Sequence, residues 1–167
     1  MNKIIILICL VTIQAFSSCK KDEFNGVTAN HPDVPVTVTN LFGTYNGVPT
    51  VVTSVSGGGA ITITLSIPAS TGRTIKEITR VAVASTPGNY KVVEISTGLY
   101  NTATIAGSGT TVTFNTTLAE YTSKTGLAAP AAVGTATSFL GRYFIFLITL
   151  DNGDTILPLG VRVYVNT

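Results

Sequence analysis

The sequence predicts an all-β domain, an antiparallel β-sandwich of seven to eight strands, preceded by a short apolar leader and a polar tether. Three observations carry that prediction. Threonine and valine dominate the chain, and both are β-branched and stiff about χ1, which favours strands over helices. Apolar and polar residues alternate with period two in several separate stretches from about residue 36 onward. Clusters rich in Gly, Pro, Ser and Asn interrupt those stretches roughly every 8–12 residues, the spacing of an all-β sandwich or barrel.

In chain order, residues 1–18 come first. Lys3 supplies a positive start, and residues 4–13 form an apolar run broken only by Thr12. As a helix the run spans about 15 Å, half of a ~30 Å hydrocarbon core, so it is too short to cross a membrane and reads as a secretory signal peptide. Two cleavage sites compete. Ala15-Phe16-Ser17 fits the small-x-small pattern of an ordinary signal peptidase, which would release a soluble protein. Phe16-Ser17-Ser18-Cys19 instead resembles a bacterial lipobox, with Phe where Leu is usual. Cysteine usage separates the two. Cys9 lies in the discarded run, so the mature chain keeps a single cysteine and forms no internal disulfide. A lone exported thiol is a liability unless it is used, and lipidation of Cys19 uses it.

The residues after Cys19 carry a second resemblance. Cys19-Lys20-Lys21-Asp22-Glu23 resembles the Cys-Lys-acidic export signal of Bacteroidota surface lipoproteins, which implies transfer to the outer face of the outer membrane. The alternative is that Lys20, Lys21, Asp22 and Glu23 are solvated tether residues only. Each buried CH₂ of an acyl chain contributes about 0.8 kcal/mol, and one chain alone holds a protein marginally. The two or three chains implied by the lipobox resemblance make the membrane partner effectively permanent. Residues 19–35 form the lipidated cysteine and a flexible tether, rich in Asn, Asp, Pro and Gly and without apolar periodicity. A tether of this length spans about 20–25 Å as a coil. Its His31 is the chain's one histidine and reads as a solvated linker residue.

Residues 36–167 hold the strands. Ile61, Ile63, Leu65 and Ile67 alternate with Thr62, Thr64 and Ser66, giving one buried and one wet face. Val112, Phe114 and Leu118 repeat the pattern, as do Val161, Val163 and Val165, with Arg162 and Tyr164 facing out. Further strand candidates are 50–55, 78–85, 91–95 and 102–106. The strand 143–150 is followed by Asp151-Asn152-Gly153-Asp154. Both Asn152 and Gly153 accept φ > 0, so a type I′ hairpin with the strand from 155 to 165 is predicted. Pro158 and Gly160 interrupt that strand and place its beginning at an edge or bulge. The strand count and turn spacing point to an immunoglobulin-like sandwich, although the cysteine pair and tryptophan of antibody domains are absent. A closed barrel is the alternative.

Two stretches depart from the pattern. Residues 119–138 are long for a loop, and 119–124 suit a single helical turn crossing between the sheets. Residues 144–150 are apolar on both faces. Either the 119–138 connection caps the outer face, or an apolar patch there awaits a partner.

Residues that could do chemistry are scarce. The domain lacks histidine, so it has no usual base for a nucleophilic triad, and its acids are Glu77, Glu94, Glu120, Asp151 and Asp154. The two aspartates bracket a hairpin tip, where Asp forms turns. The spacing lacks the ligand pattern of a calcium loop. No Walker or Rossmann glycine pattern and no CxxC pair occurs, so no cofactor and no metal is expected. A net charge of +2 with no basic stripe argues against nucleic acid. Charged residues make up 11% of the chain against roughly 25% in soluble proteins, so Thr and Ser cover the wet faces.

Cys19-Lys20-Lys21-Asp22-Glu23, the short tether, and a final strand pair with Tyr143-Phe144-Ile145-Phe146, Asp151-Asn152-Gly153-Asp154 and Val161-Arg162-Val163 are similar to small Bacteroidota surface lipoproteins with immunoglobulin-like domains. Proteins of that group often accompany glycan-capture systems. Two non-catalytic functions follow as expectations. One is a structural or protein-interaction module on the outer membrane, using apolar surface around Ile145 and Leu147 or the edge near Pro158. The other is a glycan-binding accessory role. With no tryptophan, that role needs Tyr45, Tyr90, Tyr100 or Tyr121 as platforms, two of them adjacent on one exposed face.

Overall fold

Period-two segments become strands in a computed structural model that describes residues 34–130 and 139–166. The leader, Cys19, Lys20, Lys21, Asp22, Glu23 and most of the tether lie outside the described residues. Ten strands are formed among those described: β1 (Thr37–Val38), β2 (Gly43–Tyr45), β3 (Val48–Ser54), β4 (Ala60–Ser66), β5 (Ile75–Ala84), β6 (Ile105–Ala106), β7 (Thr111–Thr117), β8 (Tyr143–Leu150), β9 (Thr155–Ile156) and β10 (Arg162–Asn166). They hydrogen-bond in the orders β1-β4-β7, β2-β3-β10 and β6-β5-β8-β9. Every pairing is antiparallel except β3 with β10, which is parallel from Thr50 opposite Arg162 to Ser54 opposite Asn166.

The all-β sandwich expected from the alternation is what forms. Ile61, Ile63 and Leu65 of β4, with Val112 and Phe114 of β7, face Ile78 and Val81 of β5, Phe144, Phe146 and Ile148 of β8, and Val163 and Val165 of β10. All are essentially withdrawn from water. Burial of each such side chain stabilises the fold by about 1.5–3 kcal/mol. On the other side of β4 and β7 the threonines bond across the strands: Thr62 Oγ1 donates to Asn115 Oδ1 at 2.9 Å, and Thr64 and Thr113 share a 3.1 Å hydroxyl contact. Val34 and Val36 already pack against the core.

Three local expectations change. Gly153 alone takes positive φ, at 90°, whereas Asn152 does not. Gly153 N–H donates to Leu150 O and Leu150 N–H to Asp154 O, so the hairpin closes through a three-residue loop with Gly at its left-handed position rather than a type I′ turn. The type I′ signature sits instead at Asn46 (φ 53°) and Gly47 (φ 78°), which join β2 to β3. Second, beyond the hairpin β8 pairs with just two residues of β9 and then, after a gap, with Val161 through an isolated bridge to Phe144. At Pro158 and Gly160 the chain shifts away, and β10 joins β3. The interruption read from the sequence is therefore the point where one strand passes between two sheets, a corner that proline and glycine make possible because neither continues a regular ladder.

Third, residues 91–95 are not a strand. Lys91–Glu94 is a single helical turn, with Val93 completely buried. Val93, Tyr90, Val92 and Leu99 pack on Ala82, Ala84 and Ile145, the outer face of β5 and β8. Among the described residues that outer face is capped by residues 90–99, and residues 119–130 take no part in the cover. The connection after β7 instead opens with an eight-residue helix, Leu118–Thr125, whose Tyr121 enters the main core 6.2 Å from the Phe144 ring.

Candidate functional site

An exposed apolar row lies on the outer side of β2, β3 and β10. Alternation places it there: Val161, Val163 and Val165 point into the core, so Arg162 and Tyr164 point out, and Val51 inward puts Val52 outward. Phe42, just before β2, is fixed by its N–H to Thr50 O at 2.8 Å. It stacks on Tyr164 with ring centroids 5.7 Å apart and an interplanar angle of 11°. Phe139 bridges to Tyr164 as an isolated β-pair and meets it edge to face at 5.2 Å. Tyr45 closes the row against Phe139 at 5.1 Å. Over the Phe139 ring, at 3.9 Å, lies the guanidinium of Arg162, which is also 5.5 Å from the Tyr143 ring.

Phe42 (52% exposed), Val52 (43%) and Tyr45 (40%) leave this row open to solvent. Leu41, next to Phe42 in the chain, lines a separate apolar groove of about 230 Å³ together with Val36, Val38, Pro49, Pro158 and Leu159. Leu41 and Leu159 are themselves nearly half exposed. The edge near Pro158 therefore carries apolar surface. The face around Ile145 does not, since Ile145 is fully buried beneath residues 90–99.

The four candidate tyrosines separate. Tyr45 sits in the aromatic row. Tyr90 is half-buried in the cover over β5 and β8. Tyr100 and Tyr121 belong to the core, and neither offers a ring face to a sugar. Aromatic residues are as useful to a sandwich interior as to its surface, so residue type alone did not separate the two cases. Burial pushes both phenols above their usual pKa. The Tyr100 hydroxyl shares a 2.7 Å contact with Thr116 Oγ1, which in turn donates to Glu120 Oε2 at 2.8 Å. Lys124 pairs with Glu120 at 2.7 Å, donates to Tyr100 O at 2.5 Å and lies 4.4 Å over the Tyr100 ring. Hydrogen bonds from Lys124 and then Thr116 hold the Glu120 carboxyl below its usual pKa. Every polar group in this chain of contacts has a partner, so the cluster fastens the helix Leu118–Thr125 to the sandwich and leaves no free acid or base.

Asp151 is occupied similarly: it pairs with Arg73 at 3.1 Å and accepts the Thr74 N–H, as a turn residue would. No group of three or more His, Cys, Asp or Glu side chains among the described residues could hold a metal ion. No helix among them is long and apolar enough to cross a membrane. The chain matches no known protein family, no curated protein and no solved structure. Sequence reading missed Phe42 and Phe139 as site residues. The outward pair Arg162 and Tyr164 was legible, whereas Phe139 joins them only through a tertiary bridge.

Proposed function

We propose that the protein is a non-catalytic lipoprotein, held at the outer membrane through Cys19 and facing the cell exterior, whose immunoglobulin-like sandwich docks a partner protein. The single observation that carries the docking reading is the aromatic row Phe42–Tyr164–Phe139–Tyr45, open to solvent at Phe42 and Tyr45. Aromatic residues and arginine are the side chains most enriched at the centre of protein interfaces, and contiguous exposed apolar surface is unusual on a domain that acts alone. Support for the immunoglobulin-like topology comes from the two layers, the β6-β5-β8-β9 order, and the parallel pairing of the last strand with an early one. The non-catalytic reading rests on the lack of histidine after residue 31 and on the engagement of Glu120 and Asp151 in ion pairs.

A photo-crosslinking residue placed at Phe42 in the intact host should give a discrete protein adduct, while the same residue at Thr62, exposed on the opposite sheet, should not. Equal labelling from both positions, or from neither, would remove the docking reading. In the same cells Cys19→Ser should abolish lipid labelling and release the chain from membranes. Glycan capture has weaker support, because two of its four tyrosines lie in the core.

A further inference from the structure

Arg162 occupies an unusual position within the exposed row. Its guanidinium lies 3.9 Å from the centre of one ring and 5.5 Å from another, and its Nε is buried without a hydrogen-bond partner among the described residues. The ion pairs among the described residues, Arg73 with Asp151 and Lys124 with Glu120, do not involve it. The neighbouring sequence offers no acid either, since residues 131–138 contain no Asp or Glu. A partly buried cation held against Phe139 and Tyr143 attracts a carboxylate more strongly than a cation in open water does, because the local dielectric is lower. The planar fork of a guanidinium also fits a carboxylate with two parallel hydrogen bonds.

We infer that the docked partner is a protein presenting an Asp or Glu side chain beside apolar residues, and that Arg162 is the seat of that carboxylate. The inference rests on the docking reading above and specifies its chemistry. A protein fits better than an acidic sugar because the rings do not form a flat platform. Tyr45 and Tyr164 meet Phe139 edge to face, at 70° each, and Arg162 already covers a face of Phe139. What remains open is a ridged surface with Phe42, Val52 and Leu41 exposed, suited to interdigitating side chains.

The test selects a random-peptide display library on the purified full chain in detergent, with the Phe42→Ala chain as the background. Enrichment of peptides carrying Asp or Glu next to apolar residues is expected. Their binding should weaken at least about tenfold in Arg162→Gln, the scale of loss when one partner of a desolvated charge pair is removed. Arg162→Lys, which keeps the charge and loses the fork, should retain salt-sensitive binding between the two. Peptides that need Phe42 but show no acid preference, or that bind Arg162→Gln equally, would overturn the carboxylate seat and leave the docking reading standing. No enrichment above the Phe42→Ala background would overturn both. Binding of oligouronates and not peptides would overturn the protein partner in favour of an acidic glycan. Stronger peptide binding after neutralising Asp22, Glu23 and Asp33 would assign Arg162 to the chain's own leading segment and likewise overturn the proposal.

Discussion

Glu120 accepts from Thr116, pairs with Lys124, and takes its own backbone N–H to the Thr117 hydroxyl that caps the helix Leu118–Thr125. Thr117 and Glu120 have the spacing of a capping box, but the carboxylate turns to Thr116 and Lys124 rather than back to the cap. Because these contacts favour the ionised form, the folded pKa lies below the unfolded one. The stabilisation is present above the usual carboxylate pKa and disappears as pH falls through the depressed folded value. Glu120→Gln should therefore be less stable than wild type at neutral pH and approach it in acid, measured as urea midpoints across the acidic range. A gap that is constant with pH would contradict the ionic role. Gly160 presents a different constraint. A Cβ there would lie 2.8 Å from Pro87 O and 2.5 Å from Ile145 Cδ1, and the Gly160 N–H donates to that same carbonyl. Gly160→Ala should cost roughly 1–3 kcal/mol by overpacking, read as a shift in the urea midpoint with unchanged slope.

Elements were most legible where alternation was long. Residues 60–66, 111–117 and 143–150 are strands as their pattern requires, because one face of each is sealed in the core. Short segments were less so. Residues 91–95 contain Val92 and Val93, good strand formers, yet they fold as a helical turn because that geometry presses Val93 onto Ile145. Packing outweighs a propensity scale that spans about 1 kcal/mol. The turn between β2 and β3 shows the opposite case: Asn46-Gly47 was a readable signal whose flanking strand of three residues was too short to draw notice. At the later hairpin the glycine matters more than its partner. Gly153→Val forces a β-branched residue to a φ near 90° and should cost about 1–2 kcal/mol, with β8 and β9 losing hydrogen-exchange protection before the rest of the fold. Uniform protection loss would show that the hairpin is not the weak point.

At the scale of the whole molecule, the candidate site depends on a contact that no local pattern announces. Phe42, Phe139, Arg162 and Tyr164 come from three distant stretches of chain, and they meet because β10 lies parallel to β3. Parallel pairing between the first and last thirds of a chain has no hairpin to signal it, so alternation revealed which residues face out but not which neighbours they meet. The same pairing closes the core. Val161, Val163 and Val165 are completely buried, and each contributes about 1.5–3 kcal/mol on burial, together roughly 5–9 kcal/mol before the β3 ladder is counted. A domain of this size has a total stability of only about 5–15 kcal/mol. A chain ending at Gly160 should therefore lose its cooperative urea transition altogether, and with it the exposed aromatic row, because Val51 and the other core residues facing β10 would be open to water. Val163→Ala separates this from a local effect: it should lower the midpoint while keeping a single transition. If the shortened chain still unfolds cooperatively with a near-normal slope, then β10 is an appended strand, and the core that it covers forms without it.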